Sequence, residues 1–417
     1  MPGNMYQSVN TTKEMKGVQT PSVPPEIQEL IQRYPTVFSD DRSQAIKSCK
    51  AKINIKENPN FWVHKGYELP YSIKAQVTDQ IRVEVQEGRW IHVDQAEAGI
   101  ASPLWPVPKP DKTLRLCGDY KRILNPNVVT DNCILEKPEE MYNAMQGCNY
   151  FCVIDLSEAY LQMELEEESQ KYLMLNTHLG FFKPTRLMYG VSSAPGIFQR
   201  FMDNVVKGFE NVKCYLDDVI LGAKDKRMLL AKLDKLLQKF ASLNIRVNLA
   251  KCKWLKEEVE CLGHIVGKDG LRVSSKRVQP ILDARKPNSV SETRAYLGAV
   301  NFYRRFLPNV SDLLKPLTEL TKERTPFVWT EQCEQAFLES KILLAKNRML
   351  TLYDPTKPLV LVCDASPYGV GCLIAHRIDG IEYPISYASS KLSPAQSNYS
   401  QIEREALGNY IWRNVLP

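Results

Sequence analysis

The feature that most constrains this chain is a pair of adjacent aspartates set between two apolar runs. Asp217 and Asp218 follow the run Val212-Lys213-Cys214-Tyr215-Leu216 and precede Val219-Ile220-Leu221-Gly222. The β-branched and aromatic flanks predict two short strands that meet at a two-residue turn occupied by the aspartates. Two acids on an apolar hairpin repel each other and leave charge unpaired. A bound divalent cation would compensate this charge, but the aspartate pair taken alone favours the alternative, a solvated acidic turn, so the rest of the chain has to decide between them.

A third aspartate stands at the end of a similar apolar run. Asp155 follows Tyr150-Phe151-Cys152-Val153-Ile154, which is typical of a buried strand. If that strand lies beside the hairpin, three carboxylates meet at one place. Such a cluster can hold two Mg²⁺ ions, which clamp the attacking and leaving oxygens of an in-line phosphoryl transfer. Hard oxygen ligands favour Mg²⁺ over zinc.

The composition is that of an ordinary soluble globular protein. The 417 residues are 44% hydrophobic and 24% charged, which predicts two or three domains. No apolar run approaches the length of a membrane span, and the first residues contain no signal-peptide core. The eleven cysteines are irregularly spaced, which is typical of reduced thiols. We therefore expect a cytoplasmic or nuclear protein that is not secreted and has no membrane partner.

Positive charge is concentrated just after the aspartate pair. Between Leu221 and Lys256 there are ten lysines and arginines against two acids, and leucines recur at helical spacing. A basic helix beside the carboxylates would neutralise the phosphates of a bound duplex. A solvated helix face is the alternative.

Three further residues are candidates for nucleotide binding. Two apolar strands flank Pro110-Asp111-Lys112, which predicts a hairpin with Lys109 near its tip and Arg115 on the return strand. Cations held on a hairpin can grip a triphosphate, although exposed cations also serve solubility. Tyr160 follows Asp155 by five residues. Its ring would clash with a 2′-hydroxyl and select deoxynucleotides, unless it is a core residue.

A last acid-bearing strand lies near the end of the chain. The run Leu359-Val360-Leu361-Val362-Cys363 leads into Asp364, and Gly369 to Ile374 is its predicted hairpin partner. Glu403 and Glu405 fall on a predicted helix from Tyr399 to Trp412. An Asp and a Glu begin a second metal site, and an isolated structural aspartate is the alternative.

Taken in order, several motifs resemble the Pol region of LTR retrotransposons of the gypsy type. The resemblance extends from about residue 25 to residue 417. It rests on Val107-Pro108-Lys109-Pro110-Asp111, Cys117-Gly118-Asp119-Tyr120, Asp155-Leu156-Ser157-Glu158-Ala159-Tyr160, Ser193-Ala194-Pro195-Gly196-Ile197-Phe198-Gln199, Tyr215-Leu216-Asp217-Asp218, Tyr296-Leu297-Gly298, Phe302-Tyr303-Arg304-Arg305-Phe306 and Cys363-Asp364-Ala365-Ser366.

The resemblance implies an α+β right-hand polymerase with fingers, palm and thumb and an antiparallel palm sheet. A connection and a truncated RNase H-like α/β domain follow. The implied division is a disordered tail at 1–24, a lead-in to the fingers at 25–95, and fingers and palm at 96–222. Residues 223–275 are then the primer-grip and thumb region, 276–357 the thumb and connection helices, and 358–417 the N-terminal half of the RNase H-like domain.

The resemblance also implies roles for individual residues. The implied catalytic and metal-binding carboxylates are Asp155, Asp217 and Asp218, with the Leu156 carbonyl as an extra metal ligand. Implied nucleotide-binding residues are Lys109, Arg115, the steric gate Tyr160, and Tyr189, which stands where the family commonly has Phe in Leu-Pro-Phe-Gly. Implied primer-grip residues are Leu262, Gly263 and His264, and the implied RNase H remnant is Asp364 and Glu405.

The implied function is RNA-directed DNA polymerisation at a primer 3′-hydroxyl with two Mg²⁺ ions, for which Mn²⁺ can substitute. The implied partners are an RNA template, a DNA primer, an RNA/DNA hybrid and dNTPs, and a virus-like particle is one implied location. Because the last two RNase H carboxylates are missing from the sequence, we expect no RNA cleavage. The rival interpretations are an inert nucleic-acid-binding remnant and the ribonuclease H activity of the full-length family. The oligomeric state stays open.

Overall fold

The computed structural model describes residues 23–94, 99–109, 112–129, 136–323, 325–346 and 349–413. The predicted tail at 1–24 lies outside these residues except for its last two, and so do Pro110 and Asp111 of the predicted turn. In chain order the helices are α1 Pro25–Arg33, α2 Tyr71–Gln86, α3 Pro138–Asn143, α4 Glu167–Gln170, α5 Ala194–Val206, α6 Lys226–Leu243, α7 Ser275–Leu282, α8 Val290–Asn301, α9 Val310–Leu313, α10 Lys315–Glu319, α11 Glu331–Ala345 and α12 Gln401–Arg413.

Five sheets are formed by the described strands. The strands are β1 Lys50–Ala51, β2 Trp90–Val93, β3 Ser102–Pro108, β4 Leu114–Gly118, β5 Tyr150–Asp155, β6 Glu164–Leu165, β7 Leu175–Thr177, β8 Gly180–Pro184, β9 Val212–Tyr215, β10 Asp218–Ala223, β11 Lys253–Lys256, β12 Glu258–Cys261, β13 His264–Gly267, β14 Gly270–Val273, β15 Leu359–Ala365, β16 Gly369–Ile378 and β17 Ile381–Lys391.

The central sheet has the order β11-β5-β10-β9, and all of its pairs are antiparallel. Its two central strands, β5 and β10, are buried on both faces, which is why β5 is a continuous apolar run without alternation. One face packs with Cys152 and Ile154 against α5 and α6. The other face packs with Phe151 and Val153 against Met141 and its neighbours. A sheet covered on both sides holds its strand ends rigidly.

Helix α6 confirms the prediction of a leucine-rich helix after the aspartate pair. Its buried residues are Leu229, Leu233, Leu236, Leu237 and Phe240. Asp225 caps the first turn, since its side chain accepts a hydrogen bond from the Met228 amide (2.8 Å). The helix ends at Asn244, whose φ of 58° is left-handed. The basic residues are left to the opposite, solvent side of the helix.

A second sheet, β2-β8-β7-β3-β4, contains the predicted hairpin that carries Lys109 and Arg115. Two runs nearby differ from what their sequence predicts. The run from Lys52 to Lys56 alternates like a half-buried strand, but β1 ends before it, at Ala51, and the Ile53 amide donates to the Ser169 hydroxyl (3.0 Å). The run from Tyr172 to Asn176 predicts a strand, but the strand begins only at Leu175, because 171–173 form a 3-10 turn.

The run from Val259 to Ile265 has the composition of one strand, but the structure divides it into a hairpin of β12 and β13. Cys261 pairs with His264 across a turn made by Leu262 and Gly263. Both turn residues have positive φ, 48° and 84°, which is the conformation of the tightest hairpin turns. The run looked continuous because only Gly263 signals the turn.

The residues from Ser291 to Arg294 resemble a helix start, but the capping residue of α8 is Ser289, two residues earlier. The Ser289 hydroxyl accepts a hydrogen bond from the Glu292 amide (3.2 Å), and the Glu292 carboxylate accepts one from the Asn288 amide (2.8 Å). These bonds are close to a capping box and fix the entry to α8.

The C-terminal sheet has the order β15-β16-β17 and carries α12 against it. This confirms the predicted hairpin from the run before Asp364 to the segment that starts at Gly369, and the predicted final helix. Within the part of the chain that the structure describes, no helix is long and apolar enough to cross a membrane.

Candidate active site

Asp155 and Asp218 stand directly opposite each other at one end of the central sheet. Asp155 is the last residue of β5, Asp218 is the first of β10, and the register pairs them. Opposite residues of an antiparallel pair have Cα atoms about 4.5–5.5 Å apart. Two carboxylates from distant parts of the sequence therefore emerge side by side.

The turn between β9 and β10 differs by one residue from the prediction. Because Asp218 already pairs with Tyr215 and with Asp155, the two turn residues are Leu216 and Asp217. Leu216 has a φ of 54°, a left-handed conformation that costs a non-glycine residue about 1–2 kcal/mol. The strain leaves Asp217 exposed at the tip of the hairpin and Asp218 held within the sheet.

Gln199 of α5 fixes this strained turn from below. Its side chain is almost fully buried, at 1% exposure. Its Oε1 accepts a hydrogen bond from the Leu216 amide (2.8 Å), and its Nε2 donates to the Cys214 carbonyl (2.8 Å). Sequence reasoning listed Gln199 in a motif without giving it a role. The sequence predicts a helix from Pro195 with Phe198, Phe201, Met202 and Val205 on one face, and a glutamine among these apolar residues was the signal that could have found it.

The three aspartates disfavour each other's ionisation. Burial raises the pKa of Asp155 to about 6, Lys251 opposes this rise, and the charges of Asp218 and Asp217 add to it. Burial also raises the pKa of Asp218, again with a contribution from Asp217. Partial desolvation raises the pKa of Asp217, and the charge of Arg115 opposes part of this rise. The cluster therefore gains from any added positive charge.

Lys251 supplies part of that charge. Its Nζ lies 3.6 Å from Asp155 Oδ1, and its side chain is largely exposed. It was counted only as one of ten basic residues in the sequence, so its place beside Asp155 was missed. A mobile surface lysine leaves most of the negative charge of the three aspartates uncompensated.

The donor set fits Mg²⁺, since it consists of carboxylate oxygens. The Leu156 amide donates to the Asp217 carbonyl (2.9 Å), which brings the Leu156 peptide next to the hairpin turn. Within the described ranges, no three His, Cys, Asp or Glu side chains already surround one metal position. The three aspartates are thus neighbours whose side chains would have to turn toward a bound ion. The role of the Leu156 carbonyl as a metal ligand stays a prediction.

A cleft of about 660 Å³ joins these carboxylates to the predicted nucleotide-binding residues. Asp155 and Asp217 line it together with Lys109, Arg115 and Tyr189. The guanidinium of Arg115 lies over the Tyr189 ring, 4.5 Å from its centroid. The cleft therefore brings carboxylates and cations together, as a metal-bound triphosphate requires.

Tyr160 lies beside this cleft in an aromatic row. Its ring centroid is 5.2 Å from that of Tyr189 and 5.6 Å from that of Phe198. Tyr160 is the second residue of a short 3-10 turn from Ala159 to Gln162, which three residues separate from the end of β5. The ring is half-buried, so the structure allows both packing and a sugar contact, and the steric-gate role stays a prediction.

Glu158 and Arg42 were missed as parts of the cleft. The Glu158 carboxylate lies 3.2 Å from Arg42 Nη1 and 3.7 Å from Lys109 Nζ. Glu158 itself has a left-handed φ of 47°, which turns the chain between β5 and Tyr160. Nothing in the local sequence signals Arg42, because it reaches the cleft from the N-terminal loop.

The predicted primer-grip residues lie on the β12–β13 turn. His264 is 6% exposed and packs among Tyr142, Phe302, Tyr303 and Phe306. Its Nδ1 forms a hydrogen bond of 3.0 Å with the Tyr142 hydroxyl. Burial, and secondarily the charge of Arg305, lower the pKa of His264 to about 4. Its side chain is therefore internal, and contact with a primer, which stays a prediction, falls to the turn of Leu262 and Gly263.

Asp364 and Glu405 lie on neighbouring elements of the C-terminal unit. Asp364 is exposed on β15 opposite Gly371. Gln401 donates both to the Ala365 carbonyl (2.9 Å) and to Glu405 (2.9 Å), which ties the start of α12 to the end of β15. The RNase H assignment of the two acids stays a prediction.

Two family models match the chain. The reverse transcriptase (RNA-dependent DNA polymerase) model covers residues 107–266, and the model of the RNase H-like domain found in reverse transcriptase covers residues 329–412. The first range contains the central sheet and all three aspartates. The chain thus contains a region that matches reverse transcriptases, followed by a region that matches their RNase H-like domain.

Several proteins that are related in sequence are polyproteins of transposons. The chain is 32% identical over 357 residues to the retrovirus-related Pol polyprotein from transposon 297 of Drosophila melanogaster, covering 84% of this chain and 33% of that protein. It is 29% identical to the opus Pol polyprotein of the same fly, covering 93% and 40%, and 27% identical to the Tf2-3 polyprotein of Schizosaccharomyces pombe, covering 96% and 30%. The chain is thus similar to retrotransposon Pol polyproteins and spans 30–40% of these relatives' length.

Solved structures agree on the fold. The chain resembles the foamy viral protease-reverse transcriptase dRH in complex with double-stranded DNA, with a TM-score of 0.85, 23% identity and coverage of 95% of this chain and 70% of that one. It also resembles the foamy viral enzyme in complex with an RNA/DNA hybrid, with a TM-score of 0.80, 23% identity and coverage of 94% and 54%. The implied right-hand fold is confirmed.

Proposed function

We propose that this chain is an RNA-directed DNA polymerase that adds dNTPs to a primer 3′-hydroxyl. The observation that carries the proposal is the placement of Asp155 opposite Asp218, with Asp217 in a cleft that Lys109 and Arg115 also line. Carboxylates that can hold metal ions and cations that can bind phosphate oxygens, all close to one cleft, match a metal-bound triphosphate. The reverse transcriptase family model over the same residues supports this chemistry.

The residues have distinct roles in the proposal. Bound Mg²⁺ or Mn²⁺ would activate the 3′-hydroxyl and neutralise the charge of the leaving pyrophosphate. Asp155, Asp217 and Asp218 hold the ions. Lys109 and Arg115 bind phosphate oxygens, and the Tyr189 ring keeps the Arg115 guanidinium flat against the cleft wall.

The nucleic-acid partners in the proposal are an RNA template and a DNA primer. Solved structures support these partners, because foamy viral enzymes of the same fold were solved with double-stranded DNA and with an RNA/DNA hybrid. The exposed lysines of α6 add a basic surface close to the central sheet. We propose the domain division given above, from fingers and palm at 96–222 to the RNase H-like unit at 358–417.

Primer extension tests the proposal directly. The purified chain is given a primed RNA template, dNTPs and Mg²⁺, beside the variants Asp155→Asn and Asp217→Asn. Asp269→Asn is the matched control, because Asp269 is exposed on the β13–β14 turn, away from the carboxylates. We expect extension by the wild type and the control, and none by the other two variants.

The same assay distinguishes the inert alternative. A folded wild-type chain that binds the primed template but does not extend it would replace the polymerase by a nucleic-acid-binding remnant. Extension that survives Asp155→Asn or Asp217→Asn would overturn the metal assignment while leaving polymerisation in place.

A further inference from the structure

Two cysteines face each other in the C-terminal sheet. The antiparallel register of β15 and β16 pairs Cys363 with Cys372, and both are free thiols. Opposite residues in such a pair have Cα atoms about 4.5–5.5 Å apart, within the range of about 4.4–6.8 Å that a disulfide spans. Among the described strand pairs this is the one position where cysteine meets cysteine, so the backbone already has the geometry of a bridge.

The pair lies in an apolar row that α12 partly covers. Cys372 is buried with Ile374, and Leu361 and Cys363 pack against them. Gly408 of α12 comes so close to the sheet that a Cβ there would lie 2.5 Å from Val370 Cγ1 and 3.6 Å from Cys363 Cβ. The helix thus holds the row in place and leaves Cys363 only half-covered.

The two thiols lie close enough to affect each other's ionisation. Burial raises the pKa of both; the neighbouring thiol opposes part of this rise at Cys363 and adds to it at Cys372. The pKa of Cys372 reaches about 12. Cys363 is therefore the more exposed and the more readily ionised sulfur, and it is the one that reacts first with a small oxidant.

We propose that Cys363 and Cys372 form a reversible disulfide across β15 and β16 when the chain meets a small-molecule disulfide. The Cys363 thiolate attacks one sulfur of oxidised glutathione, and one glutathione thiolate leaves. The Cys372 thiol then loses its proton to solvent and attacks the Cys363 sulfur, which expels the second glutathione. Two protein thiols are oxidised and one glutathione disulfide is reduced to two thiols.

The bridge would act on the C-terminal unit alone. It would join the two strands next to Asp364 and beneath α12, and it would leave the central sheet untouched. Oxidation should therefore protect β15 and β16 from local opening without changing primer extension. This inference does not depend on the proposed polymerase activity.

Peptide mapping tests it on the full chain. The protein is incubated with oxidised glutathione at mildly alkaline pH, blocked with N-ethylmaleimide and digested with chymotrypsin, which cuts at Tyr368 between the two cysteines. We expect a linked pair of peptides, separated by dithiothreitol, and slower amide exchange in β15 and β16. Cys363→Ser and Cys372→Ser should each abolish the link. Cys117→Ser should keep it, because Cys117 is a half-covered thiol in another sheet.

Two results would overturn the proposal. The first is a failure to form the link after Cys117 has reacted fully with oxidised glutathione. In that case both cysteines are recovered as maleimide adducts, or Cys363 is recovered only as a stable glutathione adduct. The other is a link that forms as fast in urea as in buffer, because chance encounter would then explain it rather than strand register.

Discussion

Asp155 and Asp218 are direct cross-strand partners, each with a pKa raised by burial and by neighbouring carboxylates. Like charges opposite each other destabilise a sheet. Burial in the folded chain raises the pKa of Asp155 from 3.8 to about 6, so folding favours the protonated form of this residue. Its favourable contribution is complete below about pH 4 and is lost as the pH rises through 6. At neutral pH the site is a source of instability that bound cations relieve.

Asp218→Asn should therefore stabilise the metal-free protein while abolishing primer extension. The amide keeps the shape of the side chain and removes one charge from the cluster, which we expect to raise the free energy of unfolding by about 1 kcal/mol at pH 8. Urea unfolding in the presence of a chelator measures this. The gain should shrink as the pH falls through the raised pKa of Asp155, because protonation removes the repulsion.

Mg²⁺ provides the counterpart of this measurement. Added Mg²⁺ should raise the unfolding midpoint of the wild type more than that of Asp218→Asn, because the variant has lost a ligand. Asp269→Asn serves as the control and should behave as the wild type in both experiments. An Asp218→Asn protein that is less stable than the wild type in chelator would show that the carboxylate has a structural partner.

Gln199→Leu should damage both stability and activity. The substitution keeps the approximate size of the side chain but leaves the Leu216 amide and the Cys214 carbonyl without their partner. We expect a loss of about 2 kcal/mol, since each abandoned polar group costs about 1–3 kcal/mol, and at least about a tenfold fall in kcat as Asp217 moves. Gln335→Leu, on the exposed side of α11, is the matched control. Equal extension rates for both variants would remove Gln199 from the set of positioning residues.

The main elements of the site were predictable because their signals are local. Asp155 follows five apolar or aromatic residues, which predicted β5 and the acid at its end. The turn was misplaced by one residue because nothing about a leucine indicates that Leu216 adopts a positive φ. Strain of this kind is imposed by partners such as Gln199, which a reading of nearby residues does not include.

Other parts of the site depend on contacts between distant segments. Arg42 meets Glu158 only after the N-terminal loop has folded over the end of β5, so no spacing rule brings them together. The turn at Gly263 was missed because the flanking residues have strand propensity on both sides. Its neighbour His264 was expected at a nucleic-acid surface, whereas the structure encloses its side chain in aromatic rings.

Tyr160→Ala should weaken the discrimination against ribonucleotides. Without the ring, a 2′-hydroxyl finds space beside the Tyr189 ring, and we expect the ratio of kcat/KM for dNTP and rNTP to fall at least about tenfold. Steady-state incorporation of a single nucleotide measures both terms. Tyr160→Phe retains the ring and should retain the discrimination. If the alanine variant discriminates as well as the wild type, Tyr160 is a core residue that packs on Phe198.

His264 should make the protein sensitive to mild acid. Its pKa is about 4 in the folded chain and about 6.5 when unfolded, so between these values only the unfolded chain takes up the proton. The free energy of unfolding therefore falls as the pH drops from 6.5 to 4, by about 3 kcal/mol from this group.

His264→Phe lacks the titration but fills the same aromatic enclosure. Other groups titrate in this range too, so the informative quantity is the difference between wild type and variant. Urea unfolding at a series of pH values should show that the advantage of the wild type over the variant shrinks below pH 6.5. Parallel curves would mean that the imidazole keeps its ordinary pKa, and that water or a charged partner reaches Nε2, which has no hydrogen-bond partner in the structure.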